Sequence, residues 1–151
     1  MRTTLLAATA ATAALVAGAA PAAAAAPAPR TMSLGAYLTG KQEVPKGKGD
    51  PDATGFALLQ LHRDGRLCYV LRVRDVDGTI DAAHIHAGRP GRNGPVSVAL
   101  TAPTWSGSVA TCTRLGGKLA RRLRDDPGRY YVNVHSSAYP DGALRGQLHS
   151  G

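Results

Sequence analysis

Aromatic side chains are scarce in this 151-residue sequence, with one Trp, one Phe and five Tyr. None is interleaved with the densest basic cluster, Lys118, Arg121, Arg122, Arg124 and Arg129, so the stacking platform of a nucleic-acid binder is missing there. Cysteine is limited to Cys68 and Cys112, and the absence of a Cys-x-x-Cys spacing argues against a thiolate zinc site. No Gly-x-Ser-x-Gly elbow occurs. Ser136 and Ser137 adjoin His135 only in sequence, which does not orient a base on a hydroxyl, so hydrolase chemistry has no support. Asp75, Asp77 and Asp81 lack the remaining positions of an EF-hand loop and fit a solvated turn. Acidic residues are outnumbered, 10 against 18 Lys and Arg, which leaves a formal charge of +8 and a bias toward anionic surfaces.

The long apolar run is confined to the N-terminus. Met1-Arg2-Thr3-Thr4 is a short basic start, Leu5 to Ala20 is small and apolar, and Ala-x-Ala sites such as Ala24-Ala25-Ala26 follow. About 16 such residues fall short of the roughly 20 that a spanning helix needs. The expectation is a cleaved signal peptide over residues 1–26, an Ala/Pro-rich linker over 27–31 and one domain over 32–151. Arg2 stands alone and no Cys precedes Cys68, which argues against a twin-Arg signal and a lipoprotein anchor. A secreted chain reaches an oxidising compartment, where Cys68 and Cys112 should close a disulfide. In the chain-entropy model a loop of that length stabilises the fold by roughly 4 kcal/mol.

From Met32 the pattern has period two, as strands buried on one face require. Met32, Leu34, Ala36 and Leu38 alternate with polar or small residues, and Lys41 to Thr54 is a loop. Phe56 to Leu61 and Arg66 to Arg74 are two strands around His62-Arg63-Asp64-Gly65, where the Asp-Gly pair signals a hairpin because both residues tolerate positive φ. Leu67, Tyr69, Leu71 and Val73 form a core face, so Cys68 lies on the other and its partner must come from an edge or a crossing segment. Thr79 to His86, Val96 to Leu100, Trp105 to Thr113, Tyr130 to His135 and Ala143 to His149 read as further strands. Leu115, Leu119 and Leu123 recur at helical spacing with Lys118, Arg121, Arg122 and Arg124 turned away. The predicted fold is all-β, an antiparallel Greek-key-like β-sandwich of about eight strands with one short helix.

Three blocks carry a family resemblance. The first is Leu38-Thr39-Gly40-Lys41-Gln42-Glu43-Val44-Pro45 with Thr54-Gly55. The second is Ala83-His84-Ile85-His86-Ala87-Gly88 with Gly91 and Asn93-Gly94-Pro95-Val96. The third is Tyr130-Tyr131-Val132-Asn133-Val134-His135 with Pro140, Gly142 and Arg145-Gly146-Gln147-Leu148. Together they resemble the chordin-type (CHRD) domain of secreted bacterial proteins and of the animal protein chordin. Lys46 stands where the family often has a second Pro. The resemblance implies an extracellular β-sandwich used for binding or structure, without an established general enzymatic activity. In outline the His-x-His strand, glycine-rich loop and later Val-His strand are also similar to copper/zinc superoxide dismutase, an analogy of fold alone.

His84 and His86, two apart on one strand, leave the same face of the sheet. His135 lies on the polar face of its own strand, opposite Val132 and Val134. If the strands are neighbours, three imidazoles meet on one surface in a set that suits Cu or Zn. The competing account makes them structural, anchoring the Gly88 to Pro95 and Ser136 to Gly142 loops through backbone carbonyls. His62 and His149 are bystanders. Glu43 is expected to pair with a cation such as Arg145. Lys118, Arg121, Arg122 and Arg124 form a basic face that could hold an anionic polymer, with a solvated helix face as the plainer account. The leading function is therefore a secreted binding or structural module, with Cu or Zn on His84, His86 and His135, and an extracellular protein or anionic cell-surface polymer as partner. A metal-dependent redox enzyme ranks second, because the Gly88 to Pro95 loop contains neither His nor Asp.

Overall fold

A computed structural model describes residues 31–104 and 107–151. The expected signal segment, most of the linker and Trp105 lie outside the described residues. The strands are β1 (Thr31–Thr39), β2 (Thr54–His62), β3 (Arg66–Arg74), β4 (Ile80–Ala87), β5 (Val96–Leu100), β6 (Ser108–Arg114), β7 (Tyr130–Ser136), β8 (Leu144–Gln147) and β9 (His149–Ser150), with one helix, α1 (Gly117–Asp125). Thr31, expected in the linker, opens β1.

Hydrogen bonding runs without a break through one antiparallel sheet in the order β5-β4-β7-β8-β1-β2-β3-β6, with β9 added to β1. It wraps a single core and is nearly closed into a barrel. The alternation read from the sequence sets the inner face. Leu34 and Leu38 of β1, Leu59 and Leu61 of β2, Leu67 and Leu71 of β3, Ile85 of β4, and Val132 and Val134 of β7 are buried together. Each contributes roughly 1.5–3 kcal/mol by leaving water. Helix α1 adds Ala120 and Leu123 to this core, while Arg124, on the same helix, donates to the Leu61 carbonyl at 2.9 Å.

The β2–β3 hairpin differs from expectation in its turn. Gly65 alone takes a left-handed φ, 85°, and its N–H bonds to the His62 carbonyl at 3.0 Å. Asp64 keeps negative φ and its carboxylate accepts from the Arg66 N–H. Leu115 precedes α1 rather than belonging to it; its N–H bonds to the Gly65 carbonyl and its side chain is buried. The predicted last strand divides at Leu148. Leu148 is buried and bonded to the Tyr130 carbonyl, and His149 then pairs with Gly35.

Cys68 and Cys112 are direct register partners on β3 and the edge strand β6. They form a disulfide across the outer face of the sheet. This is the edge approach that the position of Cys68 required.

Candidate metal centre

Strands β4 and β7 are hydrogen-bonded neighbours with Ile85 opposite Val132 and Ala83 opposite Val134, so those four side chains enter the core. The intervening positions leave on the other face: His84 and His86 from β4, and Tyr131, Asn133 and His135 from β7. The same unbroken register sets His135 opposite Ala82, two residues along β4 from His84 and on the same face of the sheet. The result is His84 Nδ1 at 3.2 Å from His135 Nε2, with the His84 ring 5.5 Å from that of His86.

Two further ring nitrogens are committed. His86 Nδ1 lies 2.9 Å from the Gly94 carbonyl, and His135 Nδ1 lies 2.9 Å from the Pro140 carbonyl. A carbonyl only accepts, so both rings carry their proton on Nδ1, and in the neutral ring Nε2 is left as a lone pair. The structural account thus holds for two of the three rings, His86 and His135 each anchoring a loop through Nδ1, and this leaves Nε2 of both free of that role. Anchoring of a ligand histidine through its second nitrogen is usual at metal sites. His86 Nε2 is buried and has no hydrogen-bonding partner among the described residues. One ligand nitrogen from each of the three residues lies within 4.8 Å of the others. Nitrogens sharing a tetrahedral ion at about 2.0–2.1 Å stand roughly 3.3 Å apart, close to the His84–His135 separation.

The cluster is half-buried rather than open on the surface, because two loops cover it. Burial, followed by the proximity of His135 and then His86, holds the His84 imidazole below its ordinary pKa. Burial does the same for His86, aided by His135 and Arg145 and opposed by the bond to Gly94. Both shifts favour the neutral imidazole, the form that metal ligation requires.

Beneath the covering loops is a polar layer that the alternation did not reveal. The His86 ring stacks on Tyr131 at 4.9 Å between centroids, and the Arg145 guanidinium carbon sits 3.5 Å over the same ring. Arg145, 2% exposed, donates to the Arg92 carbonyl at 2.8 Å, the Arg89 carbonyl at 3.2 Å and Asn93 Oδ1 at 3.0 Å. These bonds build the Gly88 to Pro95 loop against the sheet. Gly94 approaches so closely that a Cβ there would stand 1.6 Å from the Ala87 carbonyl oxygen, so only glycine fits. Asn93 in turn donates to the Val44 carbonyl.

Glu43 is buried in this layer, but its direct partner is the Asn133 amide and not Arg145. The guanidinium is already committed to loop carbonyls. Desolvation dominates and raises the Glu43 pKa to about 7 against the lowering effects of Asn133, Arg145 and the Val44 N–H. Asp50 is a second buried carboxylate missed from sequence; it accepts the N–H groups of Asp52, Ala53 and Asp77.

Other sequence candidates fall apart from the cluster. The Ser136 and Ser137 hydroxyls accept from the Tyr139 and Thr79 N–H groups and serve the turn. His62 meets Thr31, and His149 is exposed beside Gly35. Lys118, Arg121 and Arg122 are exposed on α1, while half-buried Arg124 is held by Leu61.

The CHRD domain family model matches residues 34–148, a stretch that contains all three motif blocks. The chain belongs to the CHRD domain family. No curated protein and no solved structure matches it. CHRD domains are of the extracellular type, and the disulfide of this one fits that setting. No helix among its described residues is long and apolar enough to cross a membrane.

Proposed function

We propose that this CHRD domain is exported by its N-terminal leader and works outside the cell as a binding or structural module that holds Cu(II) or Zn(II) on His84, His86 and His135. The observation that carries the metal is the His86 ring: Nδ1 is fixed on Gly94 and Nε2 is buried without a hydrogen-bonding partner among the described residues, in a cluster where one nitrogen of each of the three imidazoles lies within 4.8 Å of the others. An unpartnered buried nitrogen is costly unless something satisfies it. Without metal, His84 donates its Nδ1 proton to His135 Nε2; moving that proton to Nε2 frees Nδ1 as the third ligand.

The core and the disulfide supply stability independently, so the domain folds without metal, unlike domains that have no such core. The redox-enzyme reading remains second. The cluster offers three imidazoles, and the loop over it contributes backbone carbonyls and Asn93 but no further imidazole or carboxylate.

Calorimetric titration of the purified, tag-free protein with each metal at pH 7.5 and 5.5 tests the proposal. It expects one ion per chain with micromolar or tighter affinity at pH 7.5, weaker binding at 5.5, and loss of binding both in His86→Ala, which also gives up the anchor on Gly94, and in His84→Ala, which gives up no loop contact and should keep its metal-free melting temperature. Binding that survives removal of all three histidines would contradict it, as would no binding at all.

A further inference from the structure

Strands β1, β2, β3 and β6 turn one broad outer face to solvent, and its charge is one-sided. These four strands contain no Asp or Glu, whereas Arg66, Arg72, Arg74 and Arg114 occupy outward positions. Arg114 lies against Asp64. Arg72 and Arg74 are in no ion pair among the described residues.

The same face carries three of the four exposed large apolar side chains among the described residues, Tyr37 62%, Leu58 57% and Phe56 38% exposed, the fourth being Val96 on β5. The register sets them in rows. Tyr37 is opposite Phe56, Phe56 is opposite Arg72, and Thr54 is opposite Arg74. With neighbouring strands about 4.8 Å apart, two rings and a guanidinium follow one another in a line across the sheet. A shallow groove runs along this line, walled by Tyr37, Thr54, Phe56, Arg72 and Arg74.

Each component selects a chemistry. Exposed flat rings in a row offer apolar faces to a ligand that has apolar faces of its own, as the C–H faces of pyranose rings are. The arginine forks match carboxylates in bidentate geometry. A wholly apolar partner would strip water from two unpaired guanidinium groups, which is costly. A neutral sugar would leave them unused. The α1 cluster is poorer in this respect, since Asp125 and Asp126 adjoin its cations and Asp126 pairs with Arg89. We infer that the outer face of β1, β2, β3 and β6 binds an acidic polysaccharide whose sugars carry carboxylates, with Tyr37 and Phe56 stacking on the sugar rings and Arg72 and Arg74 gripping the acid groups. This site uses strands other than those of the metal centre and stands independently of it.

The test is titration calorimetry of the purified protein with hexagalacturonate and with its fully methyl-esterified, uncharged form. The expected result is saturable binding of the acid and at least about tenfold weaker binding of the ester. Tyr37→Ala and Arg72→Gln should each weaken binding at least about tenfold at unchanged melting temperature, with Phe56→Ser and Arg74→Gln as the second pair should either of the first variants melt early. The triple variant Lys118→Ala, Arg121→Ala and Arg122→Ala should bind as the wild type does. Equal binding of acid and ester would overturn the inference, as would loss of binding in the helix variant alone, or no binding at millimolar ligand. Concentration-dependent dimerisation abolished by Tyr37→Ala, without sugar binding, would assign the face to a second copy of the chain and overturn it too.

Discussion

Glu43→Gln should stabilise the domain at alkaline pH and leave it unchanged in acid. Glu43 is 5% exposed, and its pKa is raised from 4.5 to about 7, chiefly by desolvation. The folded state therefore holds the Glu43 proton between about 4.5 and 7, where the unfolded state has released it, and stability falls as pH rises through that window. At about 1.36 kcal/mol for each tenfold change in proton affinity, the full cost above pH 7 is about 3 kcal/mol. His84 and His86, whose pKa values are lowered, act in the opposite sense, because their neutral folded forms lose stability as pH falls below the ordinary imidazole range. Only the difference between wild type and variant isolates Glu43. A glutamine keeps an oxygen to accept from Asn133 and never ionises. Urea unfolding of both proteins from pH 4.5 to 8 should show coincident stabilities at the acid end and a gap that opens to as much as about 3 kcal/mol at pH 8, or about 10 °C in melting temperature. A gap independent of pH would refute the reasoning. So would a Gln variant less stable at pH 8, which would mean that Arg145 sustains the carboxylate in its ionised form.

Three further outcomes follow from the same contacts. Replacing Cys68 and Cys112 together by Ser, which opens a loop of sequence separation 44, should cost about 4 kcal/mol on the chain-entropy account; thermal unfolding within a degree of the wild type would count against it. Arg145→Met deletes the donors to the Arg89 and Arg92 carbonyls and to Asn93 Oδ1 and leaves these part-buried acceptors without that partner. It should cost about 3 kcal/mol and, by loosening the loop that anchors His86, weaken metal binding about tenfold; calorimetry showing both quantities unchanged would contradict the role given to this arginine. Because burial holds His84 and His86 below the usual imidazole pKa, metal affinity should persist to lower pH than for an exposed imidazole set, whose affinity falls from about 6.5. A loss centred above neutrality, followed by titration from pH 8 to 5, would disagree.

The parts of this molecule that sequence made legible are those set by near neighbours in the chain. The alternation of Leu67, Tyr69, Leu71 and Val73 needs only a period of two to declare its core face, and the spacing of His84 and His86 places both on one side of β4 by the same rule. The outward position of Cys68 required an edge partner, and β6 supplies it. What escaped depends on pairing between distant segments. The alternation puts Asn133 on the non-core face of β7, and the sequence offered Arg145 only as a partner for Glu43, yet the loops after β1 and β4 cover that face and turn it into a buried polar layer. Thr39 pairs with Arg145, and no local pattern announces a contact across so much of the chain. Arg124 sits on the expected polar side of α1, but the nearby Leu61 carbonyl holds its guanidinium. The Asp-Gly turn was located correctly, while its geometry was decided by the Asp64 carboxylate bonding to Arg66, which keeps Asp64 out of the left-handed region.

The central claim is that three imidazole nitrogens converge on one ion. A crystal structure of the Cu(II)- or Zn(II)-loaded protein, with anomalous scattering recorded at the edge of that metal, tests it most directly. The account predicts one strong peak at about 2.0–2.1 Å from His86 Nε2, His135 Nε2 and His84 Nδ1, with the bonds from His86 to Gly94 and from His135 to Pro140 preserved. A peak elsewhere on the molecule, or none with the His84 Nδ1 to His135 Nε2 contact intact, would contradict it and leave these histidines as anchors of the two covering loops.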